Sequence, residues 1–542
     1  MGIPSYFAHI VRKHRHIIKT LNAVNPNINN LYLDCNSFIY EAFHSLQDGN
    51  NKTAEMFELA IIAYTCDSLI KYIQLLKPNK RLYIAFDGVA PMAKLNQQRN
   101  RRYMTAYQSK LDNDHKWNTS AITPGTEFMS KLGTLIKARF CQANAKEFGL
   151  ETIIVSTSEE CGEGEHKIYD YIRKNAEYHK DTKTVIYGLD ADLIMLTLNH
   201  LHISENMYLF RETPEFIKNL DKTLNPNELY LMDIPLFART IIHELTANAD
   251  VQNIDDVSLQ NDALFDYIFM CFFLGNDFLP HFPALNIRTK GIDRLIQAYK
   301  VVFADKNENK DKNKETLTKD RTIVWKNVRL FIDYLAKHEL TYIKEEYVQR
   351  DKLSKRTLMD ESFKEKKREE FDDTLLLPVK ERSVEIYINP NESGWETRYY
   401  KSLFNKRIND ELRRAISTNY LEGLEWTMKY YSSGCADWRW SYHYYYPPLL
   451  VDLIKYVPFT DKHCFVPAKP EQPVSPLVQL SYVLPPTSMN LLPLPLKVKL
   501  LKEKPDWYIG NYNFLWSFCK FFWEAHVELP EIDIKALEEI VN

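Results

Sequence analysis

The chain has 542 residues, with 69 Lys and Arg against 72 Asp and Glu, a net charge of −3, 45% hydrophobic residues and 26% charged ones. Such a balance fits a globular protein with room for roughly two to four cores. It excludes a uniformly basic polyanion binder, so any contact with nucleic acid must rest on positive charge gathered in one place. Residues 1–10 lack the basic-then-apolar layout of a signal peptide. No uninterrupted apolar run approaches the roughly 18 residues of a membrane span. The eight Cys stand at least 20 residues apart, which leaves no CxxC pair for zinc or redox work. Free thiols in a reducing compartment, cytoplasmic or nuclear, are expected.

Along residues 1–303, five apolar runs end in acidic residues. They are LYLD (Leu31–Asp34), LYIAFD (Leu82–Asp87), TIIVSTSEE (Thr152–Glu160), TVIYGLDAD (Thr184–Asp192) and the helix-like YIFMCFFLGND (Tyr267–Asp277). Short β-branched or aromatic runs separated by helical stretches predict βαβ units and a buried, mostly parallel sheet flanked by helices. In such sheets ligands bind beyond the carboxyl ends of the strands, so acids placed there converge on one crevice. An acid after a strand is also a common turn former or helix cap, but five such endings make coincidence a poor account.

Asp305–Arg321 (DKNENKDKNKETLTKDR) holds one Leu and no aromatic residue, and reads as a flexible charged linker, 304–321, behind a catalytic domain, 1–303. In residues 322–542 aromatic residues crowd into short stretches and Pro is dense between Tyr456 and Lys497. This second region is expected to be mainly helical, to pack on the first and to close its pocket. No repeat at a fixed period is visible. Lys364–Arg368 (KEKKR) has flanking acids and reads as a solvated helix rather than an import signal.

Seven carboxylates stand out: Asp34, Asp87, Glu163, Glu165, Asp190, Asp192 and Asp277. Gathered in one pocket they could not all stay ionised without cations, because charges about 4 Å apart repel by several kcal/mol at an effective dielectric near 20. Two divalent ions roughly 3.5–4 Å apart would resolve the conflict and hold the attacking and leaving oxygens of a phosphodiester in line. Oxygen ligands without a Cys or His cluster favour Mg²⁺, with Mn²⁺ as the substitute, over Zn²⁺. In GEGEHK (Gly162–Lys167) the two Glu share no helical face, so a turn must aim both at the cations. His166 and Lys167, which follow directly, read as supports for a ligand or as cap residues. In AKLNQQRNRRY, Lys94, Gln98 and Arg101 fall at i, i+4 and i+7 with Arg102 beside them, one helical stripe able to grip a terminal phosphate.

At this point the chain resembles a known family. MGIPSYF, LYLDCNSFIY, FDGVAPMAKLNQQRNRR (Phe86–Arg102), ITPGTEFM (Ile122–Met129), GEGEHKIYDYIR, YGLDADLIML and LGNDFLPH (Leu274–His281) resemble the first block of the Xrn 5′→3′ exoribonucleases. GWETRYYKSLF (Gly394–Phe404), YLEGLEWTMKYYSSGCADWRWSYHYYYPPLL (Tyr420–Leu450) and PVSPLVQLSYVLPPTSMNLLP (Pro473–Pro493) resemble the second. The match is in order over nearly the whole chain, in the compact form without a long C-terminal extension. The resemblance implies a PIN/flap-endonuclease-like fold with a second, mainly helical region. It also implies a processive enzyme that holds two Mg²⁺ with the seven acids, and hydrolyses single-stranded RNA from a 5′-monophosphate end to nucleoside 5′-monophosphates.

In the family the positions of Lys94, Gln98, Arg101 and Arg102 bind the 5′-monophosphate, in a pocket too small for a cap or triphosphate. The first bases stack between a His, which falls on Tyr40 here, and a Trp, which falls on Trp438 or Trp440. Tyr40 keeps a ring but loses a titratable nitrogen; most of Tyr442–Tyr446 is expected to be core. A monomer acting in RNA degradation, with no membrane contact, is the expectation. The rivals are a flap endonuclease or DNA exonuclease on the same fold and a non-catalytic RNA-binding subunit. The complete acid set opposes the latter, and the absence of a glycine-bracketed duplex-DNA clamp opposes the former.

Overall fold

Seven strands form one sheet: β1 (Ile18–Thr20), β2 (Asn30–Asp34), β3 (Arg81–Ala85), β4 (Thr152–Ser156), β5 (Thr184–Tyr187), β6 (Met207–Phe210) and β7 (Tyr230–Asp233). They lie in the order β1-β7-β6-β5-β2-β3-β4. β6, β5, β2, β3 and β4 are parallel, and β7 runs against both its neighbours. The computed structural model describes residues 2–22, 27–46, 53–111, 117–211, 224–225, 228–246, 258–259, 261–304, 315–362, 374–406 and 408–542.

Register is what matters for function. Asp34 pairs with Ala85, Ala85 with Ser156, and Leu33 with Tyr187, so four parallel strands end level with one another. The chain runs outward from β2 through β3 to β4 and then returns to the other side of β2 for β5. That reversal is the switch point where open sheets leave a crevice at their carboxyl edge.

The period-2 alternation of the strands sorts their side chains between two cores. Leu31, Leu33, Leu82, Ile84, Val185 and Tyr187 face α2 (Asn36–Ser45), α3 (Ala54–Leu76) and α5 (Glu127–Arg139). Tyr32, Tyr83 and Ile186 face α1 (Tyr6–Lys13), α6 (Gly164–Lys174) and α8 (Asp192–His200). Between these helices run α4 (Met92–Leu111) and the short α7 (Ala176–Lys180). The second core continues into the C-terminal half, where Trp325, Phe331, Tyr399, Trp426 and Phe518 belong to it. That half is mainly helical, with long helices at Trp325–Ser362 and Asp410–Ser432.

Two readings of the sequence need adjustment. α3 is long and apolar enough by composition to cross a membrane, although Glu55, Glu58, Asp67 and Lys71 interrupt its apolar run. Its buried residues, among them Ile61, Leu69 and Ile73, pack on the sheet. The linker expected over 304–321 is shorter than its composition suggests. Residues 305–314 lie outside those described, but Thr316, Leu317 and Thr318 are buried. A small hairpin pairs Thr318–Lys319 with Thr322–Ile323. Buried Asp266 anchors it by accepting from Leu317 N–H (3.0 Å), Thr318 N–H (2.6 Å) and Thr318 Oγ1 (2.7 Å). The KEKKR segment falls outside the described residues.

Within the C-terminal half a buried charge cluster fixes the turn before the helix Ser383–Ile388. Glu385 accepts from Arg350 through both oxygens (2.6 and 2.8 Å) and from Arg382 Nε (2.7 Å). Breaking a buried pair leaves the remaining charges uncompensated, which costs about 3–5 kcal/mol. Glu385→Ala, which strands two buried guanidinium groups, is therefore expected to lose that much stability, read from the urea midpoint; an unchanged midpoint would contradict the assignment.

Candidate active site

Beyond the level ends of β2, β3, β4 and β5 the acids converge. Asp34 is the last residue of β2, and Asp87 follows β3 by two. Glu163 stands at the N-cap of α6 and Glu165 in its first turn. Asp190 lies in the turn after β5, and Asp192 opens α8. Asp277 arrives from the turn after Phe272–Leu274, held by Tyr420, whose hydroxyl donates to Pro280 O at 2.9 Å. Asp190 and Asp192 are thus split between a turn and a helix start.

The approach of α6 to β2 requires glycine. A Cβ at Gly164 would stand 2.5 Å from Asp34 Oδ1, while the Gly164 N–H donates to Asp87 Oδ1 at 2.7 Å. Gly2, with φ of +55°, presses against the Asp192 carboxylate in the same manner. Asn36 completes the hold on Asp87: its Nδ2 donates to Oδ2 (2.6 Å) and its Oδ1 accepts the Asp87 N–H (3.1 Å).

Oxygens of Asp34, Asp87 and Glu165 lie within 4.8 Å of one another, as do ligand atoms of Glu163, Glu165 and His166. Burial, and then the charges of Asp87, Asp190 and Glu163, push the Asp34 carboxyl well above the usual range. Burial and Glu163 do the same to Glu165, and burial with Asp277 pushes Asp192 up to about 7. Asp34 Oδ1 and Asp192 Oδ1 are buried without a hydrogen-bond partner among the described residues. A hard divalent cation with oxygen ligands answers both the crowding and the orphaned oxygens, so the residues fit a metal site. His166 adds a nitrogen that an oxygen-only set leaves out, although its ring is held elsewhere.

Lys94 is the exception to the negative charge. Its Nζ lies 2.5 Å from Glu163 Oε2 and 2.6 Å from Asp277 Oδ2, with the side chain buried. Burial alone would raise Asp277, but this ammonium holds it below the ordinary carboxylate range. Arg101, exposed at the other end of the same stripe, also acts on Asp277. Gln98 accepts a 3.4 Å contact from Gln479, whose own Oε1 accepts Ala90 N–H. Arg102 departs from the expected stripe: its guanidinium donates to Thr119 O, Ile122 O and Thr123 Oγ1 at 2.8–3.0 Å. It fastens the 119–123 turn, while Lys94 and Arg101 address the acids.

The C-terminal half reaches the same place through rings. His166 stacks on Tyr430 (3.7 Å), Tyr430 on Trp426 (4.7 Å) and Trp426 on Trp440 (5.2 Å). The Tyr430 hydroxyl donates to Glu163 Oε1 at 2.9 Å. Trp440 is therefore a buried core ring at the end of this stack. Trp438 is half-buried, and its carbonyl accepts Met92 N–H at the start of α4. Tyr40 is half-buried at the edge of the other core. Tyr442 and Tyr446 are buried as expected, Tyr444 and Tyr445 half-buried. Lys167 donates to Phe86 O and Thr157 O, both at 2.8 Å, and so braces the end of β3. Sequence reasoning did not single out Asn36, Tyr430 or Gln479, although each lies inside a quoted motif.

Comparison with known proteins follows the same two halves. Residues 1–213 match the model of the XRN 5′–3′ exonuclease N-terminus, and residues 259–385 and 380–542 match the Xrn1 helical domain. The match to the helical domain begins at residue 259. The 5′–3′ exoribonuclease 2 homolog of Drosophila melanogaster is 28% identical over 99% of this chain and 70% of its own length. The Gallus gallus 5′–3′ exoribonuclease 2 is 28% identical over 100% and 70%. The Saccharomyces cerevisiae 5′–3′ exoribonuclease 1 is 27% identical over 100% and 43%. A solved structure of the catalytic core of Rad2 with a DNA substrate covers 58% of this chain and 77% of its own, at 14% identity and a TM-score of 0.32.

Carboxyls raised in the folded state bind protons that the unfolded chain releases, so their contribution makes the cation-free protein less stable as pH climbs from about 4 toward 7. A cation binds the deprotonated set. Its stabilisation, about 2.7 kcal/mol at roughly a hundred times its dissociation constant, is expected to be larger at pH 8 than at pH 5.5. Melting curves with and without Mg²⁺ at the two pH values check this; equal shifts would contradict it.

Proposed function

The chain belongs to the XRN family of 5′–3′ exonucleases and is a hydrolytic 5′→3′ exoribonuclease, and from that premise we propose how it works. Its substrate is single-stranded RNA with a 5′-monophosphate, degraded processively to nucleoside 5′-monophosphates by the monomeric protein. Asp34, Asp87, Glu163, Glu165, Asp190, Asp192 and Asp277 would hold two Mg²⁺ ions. When bound, such a pair supplies Lewis-acid stabilisation to the attacking and departing oxygens of an in-line displacement.

The chain's own residues do the rest. Asn36 and the Gly164 N–H orient Asp87, and Tyr430 orients Glu163. Lys94 and Arg101 hold the terminal phosphate, with Gln98 beside them and Arg102 shaping the pocket wall through the 119–123 turn. A stripe of this kind, so close to the acids, sets the spacing from the end of the RNA to the bond that breaks. After each cleavage the new 5′-phosphate enters the same pocket. Tyr40 and Trp438 stack the first bases. The observation that carries this reading is the meeting of Lys94 with Glu163 and Asp277 at the ends of the parallel strands.

Digestion of matched RNAs tests it. With Mg²⁺, 5′-monophosphate RNA is expected to yield mononucleotides, and 5′-hydroxyl RNA to resist. Asp192→Asn is expected to slow release by about a thousandfold while RNA still binds; persistent activity would remove Asp192 from the cation set. The two tryptophans separate as well. Trp438→Ala is expected to weaken RNA binding by about 1–3 kcal/mol, a stacked base, with the melting temperature nearly kept. Trp440→Ala is expected to lose about 3–5 kcal/mol of folding stability instead. Anisotropy and denaturation together distinguish them, and a reversed pattern would reassign the stack.

A further inference from the structure

Five of the seven acids fall into two unlike halves. Around Asp34, Asp87 and Glu165 the oxygens approach one another, and Asp34 Oδ1 is buried with no partner among the described residues. In the other half, Lys94 Nζ sits between Glu163 and Asp277 at 2.5 and 2.6 Å. The Tyr430 hydroxyl takes the remaining Glu163 oxygen. The positive charge that a bound cation would supply between Glu163 and Asp277 is thus already supplied by the protein.

Lysine suits a charge that must leave. It is a compact point charge on a flexible four-carbon stem, without the fixed fork of a guanidinium. Seven residues further along α4, exposed Arg101 marks the direction in which a phosphate would approach. One ammonium cannot balance both a terminal phosphate and two buried carboxylates. When it turns to the first, it leaves the second pair uncompensated, and buried like charges demand a replacement cation.

We infer that Lys94 is a placeholder: it fills the Glu163–Asp277 half until the 5′-phosphate of RNA draws it out, so that this half takes up its divalent cation only together with a phosphorylated end. The inference rests on the proposed role of Lys94 in holding the 5′-phosphate. Because coupling between two binding events is reciprocal, cation and phosphate strengthen each other's binding. A 5′-hydroxyl end leaves Lys94 in place. Discrimination then arises partly at the loading of the cation site, and not from the fit of the pocket alone.

Mn²⁺ binding to the full chain, counted by electron paramagnetic resonance of the free ion, tests this. The protein is measured alone and with an oligonucleotide whose first linkage resists hydrolysis, either 5′-phosphorylated or 5′-hydroxyl. Alone, one ion is expected to bind, with a second weaker by about tenfold or more. The phosphorylated oligonucleotide is expected to remove that gap and the hydroxyl form to leave it. In Lys94→Met both ions are expected to bind without any oligonucleotide.

Two ions of similar affinity on the wild-type protein alone would overturn the placeholder, as would a folded Lys94→Met protein that still takes one. If that variant does not fold, the wild-type comparison decides by itself. Anisotropy in the same buffer separates the two readings. Equal binding of phosphorylated and hydroxyl oligonucleotides sinks the 5′-phosphate role; unequal binding with an unchanged Mn²⁺ count sinks only the placeholder.

Discussion

The structure is organised around one electrostatic conflict: carboxylates crowded and buried at the level ends of parallel strands. Like charges about 4 Å apart repel by about 4 kcal/mol at an effective dielectric near 20. Strand register creates the conflict, since Asp34, Ala85, Ser156 and Tyr187 end their strands side by side. Local donors soften it, with Asn36 and the Gly164 N–H on Asp87. Lys94 neutralises one side, and on the other burial and mutual repulsion push the Asp34 and Glu165 carboxyls upward. Each of these devices is a reason for a particular residue to be where it is.

The C-terminal half belongs to that arrangement rather than lying beside it. Tyr430 supplies a donor to Glu163, and Trp426 and Trp440 extend its ring into a stack anchored on the helix Asp410–Ser432. Gln479 reaches back to Ala90 and Gln98, and the Trp438 carbonyl secures the start of α4. The start and middle of the basic stripe are therefore set by residues more than 300 positions away in sequence. A first block alone would carry the acids without the scaffold that aims Glu163 and α4.

What the sequence reveals and what it conceals follow from the range of the forces involved. Strands β2 to β5 are legible because buried parallel strands must be apolar on both faces, and each run reads so from Leu31 to Tyr187, whereas β1, β6 and β7 go unread. Asp34, Asp87, Asp190 and Asp192 are legible because they follow those runs closely. Helical spacing put Lys94, Arg101 and Arg102 on one stripe, yet spacing cannot reveal that three oxygens of the 119–123 turn wait for Arg102. The choice between Trp438 and Trp440 turns on Gly423, where a Cβ would stand 2.9 Å from Trp440 Cη2. That gap admits one ring to the core and leaves the other near the surface. The hairpin at Thr318 hid behind a charged composition because its anchor, Asp266, comes from a helix 50 residues earlier.

A net charge of −3 on a protein that handles polyanions also becomes intelligible at this scale. Burying Lys94 would be prohibitive in an apolar pocket, and burying Glu163 with Asp277 would be equally so without it; together they satisfy each other. Removing one member leaves the others uncompensated, so the three charges depend on one another. Arginine in the same place would keep the charge but, with a fixed fork that pairs carboxylates through two nitrogens, would give up the two acids less readily. On the proposed exchange, a single mobile point charge, shared in turn between the protein's own acids and its ligand's phosphate, lets a locally negative crevice accept a negative substrate.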